Sequence, residues 1–212
     1  MGQELDKAGR NAFEIYGNAA TQQNITGKLL RFNKFGEFVA GQDDERIPYG
    51  TQLIAVMPSL AIGWMRWDDD GRPESKMGYV ADNFVPAPRS ELGFTDRSEW
   101  KINDDGQPRD PWQQANTLIM ADENNLEKLF TFSTTSKGGL NAVGRLSKDY
   151  GSHIKLKPND MPVIRVESDS YRHPNKKYGE IRFPVFQIVK WISSDNLPQI
   201  NGVMINRDEI PF

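Results

Sequence analysis

Residues 130–151 read FTFSTTSKGGLNAVGRLSKDYG, and this stretch decides the fold. Its first part alternates. Lys128, Phe130, Phe132 and Thr134 fall on one face and Leu129, Thr131, Ser133 and Thr135 on the other, the two-residue period of a strand. Its second part changes period. Leu140, Val143, Leu146 and Tyr150 fall within a stripe of about 120° at about 100° per residue, so residues 139–150 are predicted to be helical. Asn141, Arg145 and Lys148 gather on another face of that helix, and Gly151 is expected to stop it.

Outward from this helix the chain reads as strand and loop. Upstream, residues 28–39 are predicted to be one strand kinked at Gly36, followed by a polar loop at 42–45. Strands follow at 51–57 and 60–67. In the second of these Ile62, Trp64 and Arg66 share a face opposite Ala61, Gly63, Met65 and Trp67. Residues 68–114 carry Pro73, Pro86, Pro88, Pro108 and Pro111 and two Asp-rich turns, and read as an irregular insertion with a short strand at 77–81. Strands return at 116–121 and 126–135. Downstream of the helix come strands at 161–168 and 180–192, separated by a polar loop at 169–179. One helix set between strands in an otherwise β chain is the order of an OB-fold, a small Greek-key barrel. The expected architecture is therefore mainly β: an OB-fold-like barrel with one helix over residues 25–192, a loosely held arm at 1–24, and a flexible acidic C-terminal tail at 193–212.

Composition narrows the chemistry. The chain of 212 residues has no cysteine and two histidines, His153 and His173, which excludes disulfides and argues against a structural zinc site. No apolar run reaches the roughly 20 residues that span a bilayer, and residues 1–16 hold no stretch of signal-peptide type. A cytoplasmic protein without a membrane partner or a cofactor is expected. The net charge is −3, but residues 128–177 hold ten Lys/Arg against four Asp/Glu, so a basic region sits inside an acidic protein. Local fields of this kind attract polyanions.

A single-strand binder needs a basic groove for phosphates and aromatic faces for bases. The basic candidates are Lys137, Arg145, Lys148, Lys155, Lys157, Arg172, Lys176 and Lys177. The aromatic candidates are Trp64, Trp67, Phe130, Phe132, Tyr171 and Tyr178. Aromatics inside strands have core packing as the competing reading. Tyr171 and Tyr178 sit in a charged loop and are the stronger stacking candidates. The hydroxyls, Lys137 and two glycines of residues 132–139 lead into the helix and form a candidate phosphate cradle. The spacing is not that of a P-loop, because Gly follows the Lys. Enzyme readings rest on less. Asp68, Asp69 and Asp70 with Asp82, or Asp104 and Asp105, are carboxylates of the kind that hold Mg²⁺ in a nuclease, yet both clusters abut Gly and read as turns. His153 and His173 have no nucleophile motif beside them, and the expectation is a protein that is not an enzyme.

The chain ends Arg207-Asp208-Glu209-Ile210-Pro211-Phe212. A terminal ring beside its own carboxylate suits capture by a partner with a basic rim and an apolar slot. This end resembles the C-terminal tip of bacterial single-stranded-DNA-binding proteins, which close with acids followed by Ile-Pro-Phe. The resemblance implies a bacterial or bacteriophage protein that coats single-stranded DNA in replication or recombination. Asp208, Glu209, Ile210, Pro211 and Phe212 would then recruit host or phage replication and repair enzymes. The chain departs from that pattern in its short lead to the tip, its two acids, the intruding Arg207 and its longer body. Two other readings stand beside it: a metal-dependent nuclease on the Asp-rich loops, and a phage interaction or inhibitor module that mimics a host tip. A homo-oligomer is compatible with each.

Overall fold

Alternating apolar and polar residues run through most of the chain, and the strands they predict join a single sheet. The computed structural model describes residues 26–67, 73–103 and 106–196. In chain order the strands are β1 (Lys28–Phe32), β2 (Phe38–Ala40), β3 (Glu45–Ile47), β4 (Gln52–Ala55), β5 (Ala61–Trp67), β6 (Pro73–Tyr79), β7 (Gln113–Asp122) and β8 (Asn125–Thr134). The helix α1 (Lys137–His153) follows, then β9 (Asp160–Arg172) and β10 (Glu180–Ser193). The sheet runs β10-β9-β4-β7-β8-β1-β2-β3, with β5 attached to β7 and β6 to β5. It is strongly curled into a half-barrel, so the fold is mainly β with one helix and is consistent with the expected OB-like barrel.

Side chains bridge the gap between the two ends of the sheet. Phe186 of β10 lies 6.0 Å from Phe38 of β2 and 5.0 Å from Phe132 of β8, the latter pair edge to face. Phe38, Phe130, Phe132, Leu118 and Met120 are almost wholly buried. Val143 and Leu146 of α1 join the same core. The parallel pairing of β1 with β8 completes the curl, with Leu30 opposite Phe132.

β4 and β5 are two parts of one path along β7. Val56 donates to the Ile119 carbonyl, and the buried Ser59 hydroxyl accepts from the Ile119 N–H at 2.9 Å. Between them Pro58 starts a short 3-10 turn, Met57–Ser59. On one side of this turn β4 pairs with β9, and on the other β5 pairs with β6. The sheet therefore forks: the barrel continues through β9 and β10, and a side arm rises through β5, β6 and the first half of β7.

Several boundaries differ from the sequence reading, each for a local reason. The kink at Gly36 is a complete hairpin turn between β1 and β2. The Asn33 side chain accepts from Phe35 and Glu37, and Gly36 takes φ 86°. The polar loop at 42–45 is a turn through Asp44, and its last residue, Glu45, opens the three-residue strand β3, which pairs with β2 and contacts Lys28 of β1. The helix begins two residues early and runs through Gly151 to His153. Its end is held by stacking of His153 on Trp191 at 3.6 Å and by the 2.7 Å contact of His153 Nε2 with Asp160. The loop at 169–179 is strand as far as Arg172. The arm at 1–24 and residues 197–212 of the tail, including Asp208, Glu209, Ile210, Pro211 and Phe212, lie outside the described residues.

The hydrogen bond from Lys28 holds the exposed Glu45 carboxyl below the usual carboxylate range, aided by the Lys28 and Lys128 charges. A depressed pKa stabilises above the unfolded value and is lost as pH falls through the folded one, so the small contribution of the Lys28–Glu45 contact should fade only below the ordinary Glu range. Lys28→Ala should return the Glu45 titration toward that range, read by carboxyl NMR. Truncating Phe132 to Ala should destabilise the protein by about 3–5 kcal/mol in denaturant unfolding, because the ring fills the centre of the core.

Candidate nucleic-acid interface

The core face of β7 and β8 changes character along its length. Met120 opposite Phe130 and Leu118 opposite Phe132 are core pairs. The next pair on that face is Asn116 opposite Thr134, and beyond it Gln114 stands opposite Trp64 of β5. At this polar boundary α1 begins. Ser136 caps it by accepting from the Gly139 N–H at 3.1 Å, and the Thr134 and Ser136 hydroxyls bond each other.

The two glycines at the helix start are there for close approach. A methyl on Gly138 would stand 2.7 Å from Phe183 Cβ, and one on Gly139 would collide with the Thr134 side chain. The candidate phosphate cradle at 132–139 is thus a tightly docked, capped helix start. It leaves Lys137 exposed at the front of the helix.

A cleft of about 800 Å³ opens here. Trp64, Gln113 and Gln114 form one wall, Arg109 another, and Ser136, Lys137, Leu140 and Asn141 of the helix start a third. None of the lining residues is acidic. The insertion supports the first wall. Trp64 Nε1 donates to the Ala87 carbonyl at 2.9 Å, and Trp112 Nε1 donates to that of Leu92 at 3.0 Å. Arg66 stacks between Phe94 and Trp112, and a fork from Arg89 to Asp110 ties the loop down. Residues 80–103 and 106–111, which read as irregular, are therefore a cap fastened by aromatic–cation contacts. Arg109, Gln113, Gln114 and Asn141 escaped the site reading. The signal available was the Trp64 face of β5, whose cross-strand neighbours needed the register to be known.

From the cleft a basic stripe runs along α1. Lys137, Asn141, Arg145 and Lys148 lie within about 80° of one another at about 100° per residue, and all four are exposed. Lys155 and Lys157 are exposed but lie past the far end of the helix, about 25 Å from its start at 1.5 Å per residue. They do not join the cleft.

The remaining candidates stand on a ribbon. Beyond Arg165 β9 leaves β4, and Glu167 to Arg172 pair in strand register only with β10. Tyr171, 48% exposed, sits 6.2 Å from Phe183, which abuts Gly138 at the helix start. His173 follows at 6.5 Å from Tyr171 and meets Tyr178, 42% exposed, edge to face at 4.8 Å. Arg172, Lys176 and Lys177 crowd the ribbon tip, where Glu180 stands opposite Arg172, while Glu167 and Asp169 lie nearer its base. The ring series Phe183, Tyr171, His173, Tyr178 leads outward from the place where α1 begins.

Comparison with protein-family models, curated proteins and solved structures gives no match.

Two corrections follow from burial. Phe132 is in the core at 0% exposure and cannot stack on a base, and Phe130 shares its fate. Trp67 is half exposed on the opposite face of β5 from Trp64. Of the metal-site candidates, Asp68 to Asp70, Asp104 and Asp105 lie outside the described residues, and among the described residues no cluster of three His, Cys, Asp or Glu could hold an ion. His153 is packed between Asp160 and Trp191 as a helix anchor. Replacing Ser136 with Ala should lower stability by about 1 kcal/mol in thermal or denaturant unfolding, the usual effect of losing an N-cap.

Proposed function

We propose that this protein binds single-stranded DNA through the surface that joins the Trp64 cleft to the β9–β10 ribbon. The observation that carries the reading is the juxtaposition of half-buried and exposed rings with cations across the helix start. Trp64 and Lys137 line one cleft, and Gly138 is in contact with Phe183, which leads to Tyr171, His173 and Tyr178. Rings supply faces on which any base stacks, at about 1–3 kcal/mol per base, and the cations track the phosphates. Binding of this kind is governed by backbone charge and stacking, and it would shield single strands during replication or recombination in a bacterial cell or a phage-infected one. Loops flanking the binding face of an OB-like barrel are the customary place for such contacts. The β1–β2 turn, with exposed Lys34 and Phe35, lies beside the ribbon, since Arg182 packs on Gly36.

The second part of the proposal concerns the chain end. Asp208 to Phe212 would recruit a replication or repair enzyme, with the Phe212 ring in an apolar slot and its carboxylate on a basic residue. Deleting residues 210–212 should then abolish partner capture.

Titration with oligo-dT at several salt concentrations, followed by fluorescence anisotropy, tests the first part. Log K should fall linearly with log salt, with a slope near −0.7 per phosphate neutralised. Tyr171→Ala and Trp64→Ala should each weaken binding by about 1–3 kcal/mol. Absence of binding at low salt would refute the reading, and equal affinity for duplex DNA would assign the surface to another class of ligand.

A further inference from the structure

Single-strand binding through stacking and charge is indifferent to base type, yet the cleft is furnished with more than stacking and charge. Trp64 and Gln114 are direct partners in the β5–β7 ladder, so their side chains rise from the same face side by side. The indole N–H is committed to the Ala87 carbonyl, which fixes the ring plane and leaves its surface for stacking. Around it stand two primary amides, Gln114 and Asn141, together with the cations Arg109 and Lys137. A volume of about 800 Å³ admits a nucleobase with its sugar and phosphate.

We infer that this cleft selects a purine at one position of the bound strand. A purine places its N7 acceptor beside an exocyclic group. A Gln or Asn amide matches N7 and the amino group of adenine with two bonds, and an Arg or Lys matches N7 and the carbonyl of guanine. Both donor types line the cleft. Pyrimidines have no N7. The carboxylate partner suited to the cytosine amino group is missing from the lining. The larger purine also covers more of the Trp64 ring. Lys137, exposed at the front of α1, takes the adjoining phosphate. This inference rests on the single-strand reading above and refines it: the ribbon and helix stripe bind any strand, and the cleft sets which register is preferred.

The test compares the full-length protein on short oligo-dT with the same oligonucleotide carrying one central dA, dG or dC. A single dA or dG should raise affinity about tenfold over dC or unbroken dT, the lower range for one well-made bidentate contact. In Gln114→Ala, and separately in Asn141→Ala, the ratio should fall toward one. Asn141 is exposed on α1, so its truncation reports even where Gln114→Ala fails to fold. Arg172→Ala, on the ribbon, should lower affinity for all four oligonucleotides while preserving the ratio. Equal affinities for the four, or a preference for dC, would overturn purine selection and leave single-strand binding standing. Binding to none of them at low salt would overturn both.

Discussion

One buried hydroxyl allows a single path of chain to serve two neighbours. Where β4 ends, Pro58 bends the chain and takes the backbone off the β7 ladder. That departure would leave the Ile119 N–H unpaired in the interior, at a penalty of about 1–3 kcal/mol. Ser59 accepts from it at 2.9 Å and donates to the Val56 carbonyl at 2.6 Å, so the Ile119 N–H and the Val56 carbonyl are both paired in the bend. β4 is then free to pair with β9 and build the barrel, while β5 pairs with β6 and rises away from it. An unbroken strand would have held both neighbours in one plane, and there would be no cleft between the side arm and the helix.

The polarity of β7 and β8 is matched to this fork. Their shared face is apolar as far as Leu118 and Phe132, where the barrel and α1 enclose it. It turns polar at Asn116 and Thr134, where the helix start meets the side arm. Thr134 serves both sides of that boundary, bonding the Ser136 cap and packing on Gly139. Gly138 does the same for β10, letting Phe183 approach the helix. The cleft and the ribbon base are thus joined by backbone contact, which holds Trp64, Lys137 and Tyr171 in fixed relation.

Much of this architecture was legible in the sequence, because hydrophobic period is a local property. The shift from a two-residue to a helical period at residues 130–151 placed β8 and α1. The apolar runs placed β4, β5, β9 and β10 to within a few residues. What escaped was set by partners remote in sequence. The end of α1 depends on Trp191 and Asp160, not on Gly151. β3 has three residues and exists by pairing with β2. Residues 80–103 and 106–111 carry no period, since their order comes from Arg66, Arg89 and the tryptophans. Among the candidate site residues, Lys137, Tyr171 and Tyr178 were readable from a charged, glycine-rich or turn-rich setting. Phe132 and Trp64 look alike in sequence, each an alternating aromatic in a strand. Only the register separates them, one on the enclosed part of a face and the other on the part the fork leaves open.

The same register governs how an acidic chain would hold a polyanion under the proposed function. Net charge acts at long range, but at physiological salt fields fade over about 8 Å. A phosphate beside Lys137 responds to Arg109 across the cleft and to the helix stripe, and scarcely to acids on distant faces. By the same measure Lys155 and Lys157, about 25 Å away along α1, add nothing to the cleft. Counting cations along the sequence therefore overstates the site, and counting net charge understates it. The relevant quantity is the number of cations within one screening length of an exposed ring. Cations and accessible rings stand together in the Trp64 cleft and at the Tyr171–Tyr178 ribbon tip.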